Sequence, residues 1–262
     1  MSLDWIDTNN LSFNYLLLLE RVQISWLPGW LPDRELAIAL KANPAVEWFL
    51  RNKCPDVKVW LDKVSLIDVG TPGEDEIYMA ERKILGTIND LLAYAIDPSI
   101  YDNQPFLGWD SEELLSTTDF RDKIVIDVGA GTGRLSFIVA SLAKVVFAVE
   151  PVENLRRYMK KKANEKGCSN FYTVDGIVTG IPFPDEFADI TMGGHVFGEH
   201  PEKEIAEMER VTKTGGTVIL CPGNNDKDNK QHRVLENRGY KWSRFEEPED
   251  GMKRKYWKIK GT

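Results

Sequence analysis

Residues 125–135 read Val-Ile-Asp-Val-Gly-Ala-Gly-Thr-Gly-Arg-Leu, an apolar run that enters three alternating glycines and leaves them with helical spacing. The pattern predicts a buried strand, a sharp turn and the start of a helix. Glycine without a Cβ allows backbone angles closed to other residues and lets main-chain groups approach a ligand closely, which is how nucleotide-like ligands are held at such turns. The dinucleotide fingerprint G-x-G-x-x-G needs a small sixth residue. Here that position is Arg134, and the pattern is instead acid-x-G-x-G-x-G, with Asp127 two residues before Gly129.

The intervals that follow repeat the strand and helix alternation expected of an α/β fold. Residues 135–143 keep helical spacing, residues 144–149 form a continuous apolar strand, and Glu150 stands at its end with Pro151 beside it. A carboxylate about 20 residues beyond a glycine turn can accept hydrogen bonds from both hydroxyls of a ribose. A charged helix over 154–166 precedes a third strand at 170–174 that ends in Asp175. A fourth strand is expected at 190–194, a helix at 201–213 and a fifth strand at 215–221. Strands at 240–245 and 253–259 flank Pro248-Glu249-Asp250-Gly251, residues suited to a turn.

Taken together, 122–262 resembles the class I S-adenosylmethionine-dependent methyltransferases, of the small-molecule type with an N-terminal helical extension. The resemblance implies a Rossmann-like, seven-stranded, mostly parallel sheet completed by an antiparallel C-terminal hairpin. It implies S-adenosyl-L-methionine as cofactor, with its methionine tail at the turn of Asp127, Gly129, Ala130, Gly131 and Gly133. It further implies ribose at Glu150 and Pro151, and adenine at Asp175 and the backbone N–H groups of Gly176 and Ile177. Residues 180–190 follow the family's L-P-F-P-D-x-x-F-D stretch, except that Ala188 separates the usual Phe-Asp pair.

The sulfonium methyl is intrinsically electrophilic, so the chief demand on a protein is to align an acceptor lone pair and exclude water. A proton-bearing acceptor also needs a base. His195 and His200, two of three histidines in the chain, lie just past the fourth strand and are the catalytic candidates. Local packing is an equal reading of His195, and helix entry the plainer reading of His200. The pair lacks the spacing of a helical metal site, so no metal is expected.

Residues 1–104 show no strand alternation, only helical patterns broken by prolines, and are expected to form a helical cap or substrate subdomain ahead of a cofactor domain at 105–262. Helices are expected over 10–22, 32–41, 44–52, 57–67 and 75–96. Trp5, Trp26, Trp30, Trp48 and Trp60 hold five of the eight tryptophans, for which core packing is the plain reading and an acceptor pocket or homodimer interface the functional one. Residues 98–110 would link the parts, with Tyr101 and Trp109 placed to fold over the cofactor.

A net charge of −8 opposes nucleic-acid partners, whose binding rests on basic side chains. Arg156, Arg157 and Lys160–Lys162 form a basic cluster that reads as a solvated helix face. Cys54, Cys168 and Cys221 lack any C-x-x-C pair, no run is long enough to span a bilayer, and the first residues do not read as a leader. The expected setting is the cytoplasm. The expected activity is methyl transfer to a small or medium-sized acceptor by direct in-line displacement; the alternative is a cofactor-binding regulatory or assembly protein without turnover.

Overall fold

The computed structural model describes residues 5–261, so the extreme N-terminal stretch read for a leader lies outside them. The chain divides into two compact units, at Tyr101/Asp102.

The first unit is helical, with α1 (Arg21–Trp26), α2 (Asp33–Ala42), α3 (Pro44–Lys53), α4 (Lys58–Ser65), α5 (Glu74–Thr87) and α6 (Asn89–Ile96), followed by the short α7 (Ser99–Asp102). Pro44 opens α3, where a missing N–H costs nothing. Two expected helices are each split. The first is a 3-10 turn at Phe13–Leu18 and then α1, because Glu20 and Gln23 form a reciprocal capping box that starts a new helix. The second breaks at Ile88 (φ −108°, ψ 29°), where Asn89 turns its buried amide to the N-terminal segment. It accepts from the N–H groups of Trp5 and Ile6 at 2.9 Å and donates to the Ile6 carbonyl at 2.7 Å.

The core of this unit is aliphatic, built on Leu36, Leu40, Leu50, Leu61, Ile84 and Leu92. None of its five tryptophans is fully buried, and Trp30 and Trp48 are exposed, so packing does not account for those two.

The second unit is built on a seven-stranded sheet in the order β3-β2-β1-β4-β5-β7-β6. The strands are β1 (Ile124–Val128), β2 (Val145–Val149), β3 (Phe171–Val174), β4 (Ala188–Gly193), β5 (Thr212–Asn225), β6 (Lys241–Glu247) and β7 (Gly251–Ile259). β1 to β5 pair in parallel, whereas β7 runs antiparallel to both β5 and β6. This is the Rossmann-like sheet with its C-terminal hairpin. The intervening helices are α8 (Glu112–Leu115), α9 (Arg134–Val139), α10 (Glu153–Glu165), α11 (Pro201–Val211) and α12 (Lys230–Asn237).

Alternation along β1 explains the two layers, since successive side chains point to opposite faces. Val125 joins one core with Leu135, Val139 and Met159, and Ile126 and Val128 join the other with Ile205, Met208 and Leu220. Burying each such side chain is worth about 1.5–3 kcal/mol. α12 was not anticipated: the Asn229 side chain caps it by accepting from the His232 N–H, and Val234 and Leu235 are buried. Among the described residues no helix is long and apolar enough to cross a membrane.

Candidate functional site

Strand order reverses between β1 and β4, which diverge from the same centre of the sheet. In open parallel sheets ligands collect outside the carboxyl ends of the strands at this switch point. The glycine turn lies there, directly after β1. Gly129, Gly131 and Gly133 have φ of 64°, 57° and 85°, in the left-handed region that disfavours side chains. A Cβ on Gly129 would lie 2.1 Å from Val196 Cγ1, and one on Gly133 would lie 2.7 Å from Phe137 Cε2. Both conformation and space therefore require glycine.

Two buried acids hold this turn from either side. Asp127 Oδ2 accepts from the Ser136 N–H at 2.9 Å and its hydroxyl at 2.6 Å, tying β1 to α9. Burial pushes the Asp127 carboxyl up to about 7, against the lowering effect of Ser136. Glu150 accepts from the Gly131 N–H at 2.9 Å through one oxygen and from the Val152 N–H at 3.0 Å through the other. Burial pushes it up to about 7 as well. The N–H groups of Gly129 and Ala130 donate to the Val149 carbonyl at 2.8 and 3.1 Å. The N–H groups of Gly129, Ala130 and Gly131 are thus all engaged within the chain.

Arg156 corrects the reading of its cluster as a solvated face. Its Nη1 donates to the carbonyls of Glu150 and Pro151 at 2.6 and 2.7 Å and to Asp175 Oδ1 at 3.1 Å, which locks the loops after β2 and β3 together. Asp175 itself is exposed. Next to it, a Cβ on Gly176 would meet Pro182 and Val149 at 2.7 and 2.8 Å, and exposed Ile177 pairs with Gly180 in an isolated bridge. In the following loop Arg210 donates to the carbonyls of Ile181 and Phe183, both at 2.9 Å, and to Asp185 at 2.8 Å. This gives the P-F-P-D stretch its fixed course.

The two histidines part company. His195 adopts φ 57°, rare for a residue with a side chain, with its N–H on the Pro222 carbonyl at 3.0 Å. Its Nε2 lies 2.9 Å from Oε1 of Glu247, whose side chain is wholly buried, and Phe106 packs edge-on at 5.5 Å between ring centroids. The other oxygen, Glu247 Oε2, has no hydrogen-bond partner among the described residues, with Lys253 Nζ at 3.7 Å. His200 is exposed and precedes α11, where the buried Glu204 carboxylate accepts from the N–H groups of Gly198 and His200 at 2.7 and 2.6 Å. Its backbone therefore serves the loop. Glu247 was missed from sequence because it lies 52 residues beyond His195, inside what reads only as the end of a hairpin strand.

Trp109 packs against Phe245 with centroids 5.4 Å apart, and the Arg134 guanidinium lies 4.8 Å over its ring. Thr132 Oγ1, Arg134 Nε and Trp109 Nε1 are buried without a hydrogen-bond partner among the described residues, so three orphaned polar atoms gather in and beside the glycine turn. An open cavity of about 590 Å³ lies along one flank of this unit, lined by Gln104, Arg134, Phe137 and Lys162 among others. Its lining reaches down α9 and α10 rather than across the strand ends.

Residues 126–220 match a family model described as a methyltransferase domain, a stretch that runs from β1 to β5 and includes the turn, both buried acids and His195. These residues thus form a domain similar to methyltransferase domains. The chain is 30% identical over 139 residues to an uncharacterized methyltransferase of Geobacillus thermodenitrificans (strain NG80-2), covering 49% of this chain and 62% of the relative. It is 28% identical over 115 residues to another from Geobacillus sp. (strain WCH70), covering 42% and 52%. The chain thus spans half to just under two thirds of these relatives. A SAM-dependent methyltransferase structure from Aquifex aeolicus aligns with a TM-score of 0.49 at 22% identity, over 62% of this chain and 97% of the other. Residues before 126 lie outside the family match.

Proposed function

We propose that this protein is an enzyme that binds S-adenosyl-L-methionine at the strand ends of its methyltransferase domain and catalyses methyl transfer to a small or medium-sized acceptor. The observation that carries the reading is the glycine turn at the sheet's switch point, with Glu150 fixed beside it. The residues fit the cofactor. Glu150 would take the ribose hydroxyls on its remaining lone pairs, Asp175, Gly176 and Ile177 would meet the adenine, and Pro151 would line the approach. Since the N–H groups of Gly129, Ala130 and Gly131 are engaged, the methionine tail would be met by the turn's carbonyls and the orphaned Thr132 hydroxyl, the ammonium donating to the former.

The bound cofactor supplies an electrophilic methyl group, so the chain needs chiefly to place the acceptor and accept its proton. His195, at the end of β4 and one residue from Val196 on Gly129, is assigned the base; His200, whose backbone serves α11, is not. The helical unit would shape the acceptor pocket, and the cytoplasm is the setting we assign.

Incubation of purified protein and a metabolite extract with S-adenosylmethionine carrying a deuterated methyl tests the reading. A labelled product is expected, absent with Gly129→Ala. Saturable cofactor binding with no labelled product from any extract would instead support a binding protein without turnover.

A further inference from the structure

Three features of His195 do not follow from its place at a strand end. Its backbone is held at φ 57°, in a strained region that proteins retain where the surroundings over-determine it. Its Nε2 faces a carboxylate with no solvent exposure. That carboxylate comes from the far end of β6, so the pairing exists only in the completed sheet.

An ionised carboxylate only accepts hydrogen bonds, so at 2.9 Å the proton of the neutral ring must sit on Nε2. Nδ1 then carries the bare lone pair. Lys253 supplies the opposite charge near Glu247 while its ammonium donates to Asn225 at 2.6 Å and Asp250 at 2.8 Å. The edge of Phe106 limits how the imidazole can rotate. The ring is still about one third exposed, at 35%, so a proton taken up can leave to solvent.

We infer that Glu247 is a positioning residue that holds His195 with Nδ1 free to take a proton, and that the acceptor is therefore a nucleophile bearing an O–H or N–H. The inference rests on the methyl-transfer reading above. As the acceptor atom uses its electron pair to bond the methyl carbon, the carbon–sulfur bond breaks with its electrons going to sulfur. The acceptor's O–H or N–H proton passes to Nδ1. The resulting imidazolium is stabilised by Glu247 until the proton leaves to water. An acceptor without such a proton, a thioether or tertiary amine, has no use for the pair.

Long-range nitrogen-15 spectra of the protein at alkaline pH report which ring nitrogen carries the proton, and His195→Gln identifies the signals among three histidines. The expected wild-type ring is protonated at Nε2. Glu247→Ala should give a mixture of tautomers; Glu247→Gln, which preserves volume and whose amide can donate as well as accept, should show the same change to a lesser degree if the alanine variant does not fold. A ring protonated at Nδ1 in the wild type, or a tautomer unmoved by either substitution, overturns the inference. S-adenosylhomocysteine affinity should stay unchanged in Glu247→Gln, so a wild type that fails to bind it defeats the methyltransferase reading and leaves the tautomer result standing. Any product labelled from deuterated cofactor should carry CD3 in place of one hydrogen. A product that gains CD3 with a fixed positive charge contradicts the acceptor class. With that product as readout, Glu247→Gln should lower turnover about tenfold or more with little change in KM.

Discussion

The loop after β1 and the loop after β4 meet at Gly129 and Val196, yet they are specified in different ways. The first is encoded locally, by three glycines that alone tolerate the required angles and by Asp127, nine residues from its partner Ser136. The second is held in place by distant groups: the Pro222 carbonyl anchors the backbone of His195 and Glu247 orients its ring. A locally encoded turn can bind a common cofactor. Orientation from afar instead depends on the packing of the completed sheet.

The largest effect that sharpens this contrast is expected from Gly129→Ala. The new methyl meets Val196 and the backbone keeps a positive φ, so unfolding free energy measured by denaturant should fall by about 3 kcal/mol. A loss below about 0.5 kcal/mol would mean that the two loops are not in contact.

Asp127→Asn comes next and gives a pH signature. A carboxyl with an ordinary value of 3.8 held at about 7 in the folded chain favours folding while protonated. Its contribution is full below the unfolded value and disappears as pH rises towards the folded one. Between about pH 5 and pH 7 the wild type should lose up to about 1.4 kcal/mol per pH unit from this group, and the asparagine variant should lack that slope. Identical slopes in denaturation series across that range would refute the burial argument.

The smallest effect is expected at the second loop's other histidine. His200→Ala removes an exposed ring and keeps the N–H that Glu204 uses, so stability should move within about 0.5 kcal/mol and methyl transfer should persist. Loss of turnover with stability intact would give His200 the role assigned to His195.

The legibility of the sequence follows the same division. The sheet, its hairpin and the strand-end positions of Asp127, Glu150 and Asp175 were readable because periodicity and glycine spacing are local signals. Element ends were not: β5 runs to Asn225, and the helix over 75–96 breaks at Ile88 because Asn89 is drawn to Trp5 and Ile6. Glu247 and the bracing role of Arg156 were also hidden, since their partners are set by tertiary packing. The exposure of Trp30 and Trp48 was hidden too, since tryptophan reads from sequence as a core residue.

The most direct measurement is a calorimetric titration of the purified protein with S-adenosylhomocysteine, alongside Glu150→Ala. One saturable site is expected in the wild type, weakened by about 1–3 kcal/mol in the variant through loss of a buried hydrogen-bond acceptor. No saturable heat in the wild type, or equal affinity in both proteins, would contradict the placement of the cofactor at these strand ends.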